Sequence, residues 1–159
     1  MTISYPSGLP MPLRADYGLQ HTDNVLRTAL GNGHARKEIL HAPGPTRITA
    51  KFRIRPSQAQ VFEGFYWRTL NSGVLTFSML LLTPLGIQQY DEVEFAELYT
   101  GPTPLANSRG GNGRLWEFTA QLQMNRPPII SAEEAQFPDE VLYSSIFDRN
   151  MNRDWPPSD

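Results

Sequence analysis

The chain has 159 residues, a mass of 18.0 kDa, a formal net charge of -2 and only 19% charged residues. Its length predicts one domain core, and the lack of surplus positive charge argues against nucleic-acid binding. The absence of cysteine excludes disulfides, thiolate zinc sites and cysteine nucleophiles. Because no stretch resembles a signal peptide or a membrane span, we expect synthesis in the cytoplasm and no membrane partner.

Residues 1–22 are predicted to form an extended N-terminal arm. Pro6, Pro10 and Pro12 disfavour a helix or a central strand there. The arm either orders against a neighbouring subunit or packs along its own domain. Its candidate interface residues are Tyr5, Leu9 and Leu13.

Residues 23–127 are predicted to form the β domain. Val25 to Leu30 and Ala35 to Leu40 are indicated as two strands of a hairpin, since an Asn-Gly turn suits a tight connection. Thr46 to Arg55 alternates apolar and polar residues, which predicts a strand with one buried face.

A helix is predicted from Pro56 to Leu70. Proline is tolerated in a first helical turn, and large apolar residues then recur at spacings of three and four, as on one helix face. Asn71-Ser72-Gly73 is expected to end the helix, with Gly73 or Asn71 suited to a left-handed cap. We expect this helix to lie across a sheet and to close its core.

The remaining domain sequence predicts three strands. These are Val74 to Met79, Gln89 to Tyr99 and Leu115 to Asn125, with a turn at Thr83 to Gly86 between the first two. Gly101 to Gly113 lacks an apolar period and is predicted to be a long loop. The strands on either side of that loop are expected to pair.

The sequence offers little for catalysis or metal binding. His21, His34 and His41 lack the spacing of a helical metal pair. Three acid pairs could in principle act as general acid and base, but their positions do not converge: Asp91/Glu92, Glu94/Glu97 and Glu133/Glu134. We therefore predict a protein that is not an enzyme and has no cofactor or metal.

Residues 128–159 are predicted to form a C-terminal extension with a short helix near Ser131 to Gln136. Large apolar residues are scattered through it, and such residues mark contact sites when they are exposed. The candidate partner contacts are Phe147, Met151 and Trp155. The alternative is that the extension folds back on its own sheet.

Between Val25 and Arg126, four short motifs follow one another. They are the turn Gly31-Asn32-Gly33-His34, the helix entry Ser57-Gln58-Ala59-Gln60-Val61-Phe62-Glu63-Gly64-Phe65, Gly73 leading into Leu75-Thr76-Phe77, and the strand Leu115-Trp116-Glu117-Phe118-Thr119-Ala120-Gln121-Leu122. In this order they resemble the phage minor tail protein M family of lambda-like siphophages. Asn32 stands where that family has Asp, and His34 where it has an aromatic residue.

This resemblance implies a mainly β (α+β) fold: an antiparallel β-sandwich of tail-tube type with one helix, at about 56–70, packed on the sheet. It also implies a structural virion protein of the tail tip. Six copies would form a closed ring at the distal end of the tail, joining the tail tube protein to the baseplate hub and other tail-tip proteins. The alternatives are a tube or completion protein, a carbohydrate-binding module using Trp116 or Trp67, and a small hydrolase.

Overall fold

The computed structural model describes residues 2–31, 33–40, 42–105 and 114–144. The chain divides into two compact units, at residues 1–128 and 129–159, and the division predicted after residue 127 lies beside this boundary. Strands make up most of the regular structure, which confirms the predicted mainly β (α+β) fold.

The first unit contains nine described strands and one long helical segment. In chain order the strands are β1 (Ile3–Ser4), β2 (Gly18–His21), β3 (Val25–Ala29), β4 (Ala35–Ile39), β5 (Thr46–Ile54), β6 (Phe77–Thr83), β7 (Gly86–Phe95), β8 (Thr100–Pro104) and β9 (Trp116–Met124). Seven of them form one sheet in the order β1-β6-β7-β9-β5-β2, with β8 also paired to β9. Strands β3 and β4 form a separate hairpin, as predicted.

The centre of the sheet is the antiparallel pair of β5 and β9, which are in register from Thr46–Met124 to Ile54–Trp116. The alternating residues of both strands are buried on one face, including Ile48, Phe118 and Leu122. This follows from the pleat, which points every second side chain to the same side. The two strands with the clearest alternation in the sequence are therefore confirmed.

The sheet is bent, so that its two ends approach each other. The ring of Tyr5 lies 6.3 Å from that of Phe52 on β5 and 6.4 Å from that of Phe77 on β6. Near the other end of β6, the Tyr17 hydroxyl donates a hydrogen bond of 2.8 Å to the Leu82 carbonyl. The two ends of this one sheet thus lie close to each other, and the parallel β1–β6 pair makes the sheet mixed rather than purely antiparallel.

The predicted helix is present as α1 (Pro56–Gly64), which continues as a π-helix over Phe65–Thr69. The Arg55 N–H, which precedes the helix, donates to the side-chain oxygen of Gln58 at 3.1 Å. Phe62 is buried at the centre of the core, and its ring lies 4.7 Å from that of Phe118. The helix covers the concave face of the sheet through this aromatic contact.

The predicted strand from Val74 to Met79 is displaced along the chain, because β6 begins only at Phe77 and continues to Thr83. Asn71, Ser72 and Gly73 all have positive φ, at 50°, 61° and 80°. Three consecutive left-handed residues extend the turn after the helix and delay the next strand.

The N-terminal segment also differs from a free arm. Strands β1 and β2 lie at the two ends of the sheet, and the Leu13 N–H donates to the Lys51 carbonyl at 2.8 Å. The segment therefore packs along its own domain, which is the second of the two expected arrangements.

Truncation of Phe62 tests the core. We expect Phe62→Ala to lower the free energy of unfolding by about 3 to 5 kcal/mol, because it opens a cavity between the helix and the sheet. The neighbouring Val61 is half exposed, so Val61→Ala should cost less than about 1 kcal/mol. Urea unfolding of both variants measures the difference, and equal losses would contradict this packing.

Gly64 in the helix and Gly73 in the turn after it should respond oppositely to alanine. Gly73 has a positive φ, and a Cβ added to it would lie only 2.7 Å from the Tyr66 ring. Gly73→Ala should therefore destabilise the protein by more than about 1 kcal/mol. Gly64 is helical and has no atom within 4 Å of the added Cβ. Gly64→Ala should therefore stabilise it by up to about 1 kcal/mol. Thermal unfolding that moves both variants in the same direction would refute this account.

Candidate interaction surfaces

The predicted interface residues of the N-terminal segment are buried or half-buried in the first unit. Leu9 is only 7% exposed and belongs to the core. Tyr5 packs edge-on against Phe65, with ring centres 5.9 Å apart, and burial raises the pKa of its hydroxyl. Leu13 is half-buried. Leu9 and Tyr5, each next to a proline, thus belong to or pack against the core of their own unit.

The C-terminal candidates Phe147, Met151 and Trp155 lie outside the described residues. The described part of the second unit, residues 129–144, contains a short 3-10 helix at Glu134–Gln136 and helical residues at 138–144. The Ser131 N–H and hydroxyl both donate to the Glu134 carboxylate at 2.8 Å, and these bonds lower the pKa of that carboxyl. The segment is thus locally ordered by a capping interaction, and the short helix predicted near Ser131 to Gln136 is present as this 3-10 helix.

Residues 129–144 combine exposed apolar side chains with negative charge. The exposed large apolar residues are Ile129, Phe137, Leu142 and Tyr143. The same residues include four carboxylates, at Glu133, Glu134, Asp139 and Glu140, and no Lys or Arg. We call residues 129–144 the acidic segment.

The β3–β4 hairpin is exposed to solvent over almost its whole length. Every residue of β4 is exposed, and Ile39 reaches 73%. Its two strands pair with each other and with no strand of the main sheet. A two-stranded hairpin by itself is only marginally stable in water. Contact with a partner would therefore stabilise the hairpin.

The register of the hairpin gives its two faces different chemistry. Val25 is opposite Ile39, Arg27 is opposite Lys37, and Ala29 is opposite Ala35. Directly opposite residues share a face, so this face presents apolar side chains and two cations. We call it the basic face; its members are Val25, Arg27, Ala29, Ala35, Lys37 and Ile39. Thr28 and Arg36 lie on the other face.

The two cations of the basic face are not equally neutralised. Arg27 forms an ion pair with Asp23, whose pKa is lowered mainly by that hydrogen bond. No described carboxylate lies within salt-bridge distance of Lys37. Like charges directly opposite each other repel, and Arg27 lies opposite Lys37. A further carboxylate beside Lys37 would therefore stabilise this face.

The histidines and acid pairs of the sequence are spread over the described structure. His21 is within hydrogen-bond distance of Thr46 at 2.8 Å, Glu94 accepts a bond from Gln123 at 2.9 Å, and Glu92 accepts one from Asn125 at 3.3 Å. No group of three possible metal ligands occurs among residues 2–31, 33–40, 42–105 and 114–144. His41 lies outside these ranges.

The two tryptophans considered for sugar stacking differ in their surroundings. Trp67 is 48% exposed, and its indole N–H donates to the Tyr99 hydroxyl, which in turn donates to Glu63. Trp116 is half-buried in the pair with Ile54. Trp67 lies on the helical segment, whereas Trp116 lies on β9 of the sheet.

Comparison with known proteins gives no relative: no protein-family model, no curated protein and no solved structure matches the chain. None of the described helices is long and apolar enough to cross a membrane. The surfaces themselves therefore carry the functional argument.

Hydrogen exchange distinguishes the hairpin from the core. In the monomeric protein we expect amide protons of β3 and β4 to exchange at least about 100-fold faster than those of β5 and β9, because the hairpin opens without unfolding the core. Exchange monitored residue by residue by NMR measures this ratio. Similar protection in both pairs of strands would show that the hairpin belongs to the cooperative core.

Proposed function

We propose that this chain is a structural subunit of a bacteriophage tail that forms a closed ring at the distal tail end, joining the tail tube to the baseplate hub. In this proposal its partners are further copies of itself, the tail tube protein and other tail-tip proteins. The virion is its final location, after assembly in the host cytoplasm.

The exposed β3–β4 hairpin is the observation that supports the proposal most. The main sheet, the helix and the N-terminal segment bury a continuous aromatic and aliphatic core, to which the hairpin contributes none of the buried residues. A self-assembling subunit needs surfaces that are completed by its neighbours, and this exposed pair of strands is a candidate for one of them.

The motifs that resemble the minor tail protein M family give the proposal its specific position in the virion. They occur at the turn of this hairpin, at α1, at the start of β6 and along β9. The same architecture would also serve a tube or completion protein, because a fold does not fix a role. The form of the assembly separates these possibilities.

The first test is the mass and shape of the assembly formed by the full chain. Light scattering should give six copies of the 18.0 kDa chain, and electron microscopy should show single closed rings, because a heterologous interface with the right rotation closes on itself. Open-ended tubes would favour the tube protein instead. A chain that stays monomeric at every concentration would contradict a ring that forms by itself.

A further inference from the structure

We infer that the ring contact is head-to-tail, with the basic face of the β3–β4 hairpin of one copy docking on the acidic segment of the next. This inference rests on the proposed function, because it names the two surfaces through which the copies of that ring meet.

The geometry of a closed ring requires two different complementary surfaces on every copy. A pair that fits this requirement occurs in the described residues. The basic face offers the exposed side chain of Ile39 beside the cations of Arg27 and Lys37. The acidic segment offers four carboxylates with no cation of its own, so the two surfaces have opposite charge.

Both surfaces also combine charge with exposed apolar area. Residues 138–144 are helical, so Asp139 lies on the same side as Leu142 and Tyr143, three and four residues on. Both of those apolar side chains are exposed, as is Ile39 on the hairpin. Contact would bury apolar side chains on both sides and bring a carboxylate to a cation at the rim, as in a typical protein interface.

Of the two cations on the basic face, Lys37 would be stabilised more by a carboxylate from a second copy. It faces Arg27 across the hairpin, and Asp23 forms its ion pair with Arg27 rather than with Lys37. A carboxylate from a second copy would relieve the repulsion between the two cations. The contact would therefore stabilise a hairpin that is only marginally stable by itself.

The test is charge reversal with a matched control on the same strand. Lys37→Glu should raise the dissociation constant of the assembly at least about tenfold, because it places like charges at the contact. Arg36→Glu changes the charge by the same amount on the opposite face and should stay within about twofold of the unchanged protein. Circular dichroism checks that both variants remain folded.

A complementary variant identifies the partner surface. Asp139→Lys with Glu140→Lys should also weaken assembly when that chain is alone. An equimolar mixture with Lys37→Glu chains should restore it, since residue 37 of every hairpin then meets opposite charges at residues 139 and 140 of the next chain. The measurement is the assembled mass by light scattering, with each variant alone and in the mixture.

The outcomes separate the two proposals. If the unchanged chain forms rings but Lys37→Glu assembles equally well, or if the mixture fails to restore assembly, the head-to-tail contact is wrong while the ring stands. Equal losses from Arg36→Glu and Lys37→Glu would also overturn it, because they would show a general charge effect. If the unchanged chain never associates, both proposals fail.

Discussion

The packing of Phe62 into the concave face of the bent sheet holds the first unit together. Its ring contacts those of Phe52 and Phe118 on the two central strands, and also those of Phe95 and Tyr99. A bent sheet alone would leave this face open to water, and burial of such rings is the main favourable contribution to folding. The helix, the left-handed turn after it and the start of β6 all depend on this contact.

Two described parts of the chain contribute no residue to this core. The β3–β4 hairpin contributes no buried residue, and the acidic segment belongs to a separate compact unit. Both expose large apolar side chains, yet their charges are opposite in sign. The stability of the domain and its capacity for assembly thus reside in different parts of the sequence, so one can be altered without the other.

The sequence predicted the elements whose patterns are local. The alternation of Thr46–Ile54 and Trp116–Met124 and the three- and four-residue spacing of α1 each indicate one buried face, and each element formed as predicted. The start of β6 was misplaced because the left-handed conformation of Ser72 has no sequence signal. The packing of Tyr5 and Leu9 against the core was not predicted, because the bend of the sheet that brings them there depends on contacts between distant strands.

The candidate surfaces were predicted less completely than the fold. The Asn-Gly turn indicated the hairpin but not its register. The pairing of Arg27 with Lys37 determines which residues share a face. A shift of one residue would move the side chains of one strand to the other face. The acidic segment was recognised as rich in apolar residues, whereas its charge complementarity to the hairpin emerged only when exposure was known.

The central claim is that copies of this chain meet through the hairpin and the acidic segment, and carbodiimide coupling tests it most directly. This reagent joins a lysine amine to a carboxylate in contact with it, and the chain has only two lysines, Lys37 and Lys51. Lys51 lies 2.6 Å from Asp16 of its own copy and provides the internal reference. In a mixture of isotopically light and heavy copies, the account predicts light-to-heavy links from Lys37 to Asp139 or Glu140. Links from Lys37 found only within single copies, or only to carboxylates outside the acidic segment, would contradict it.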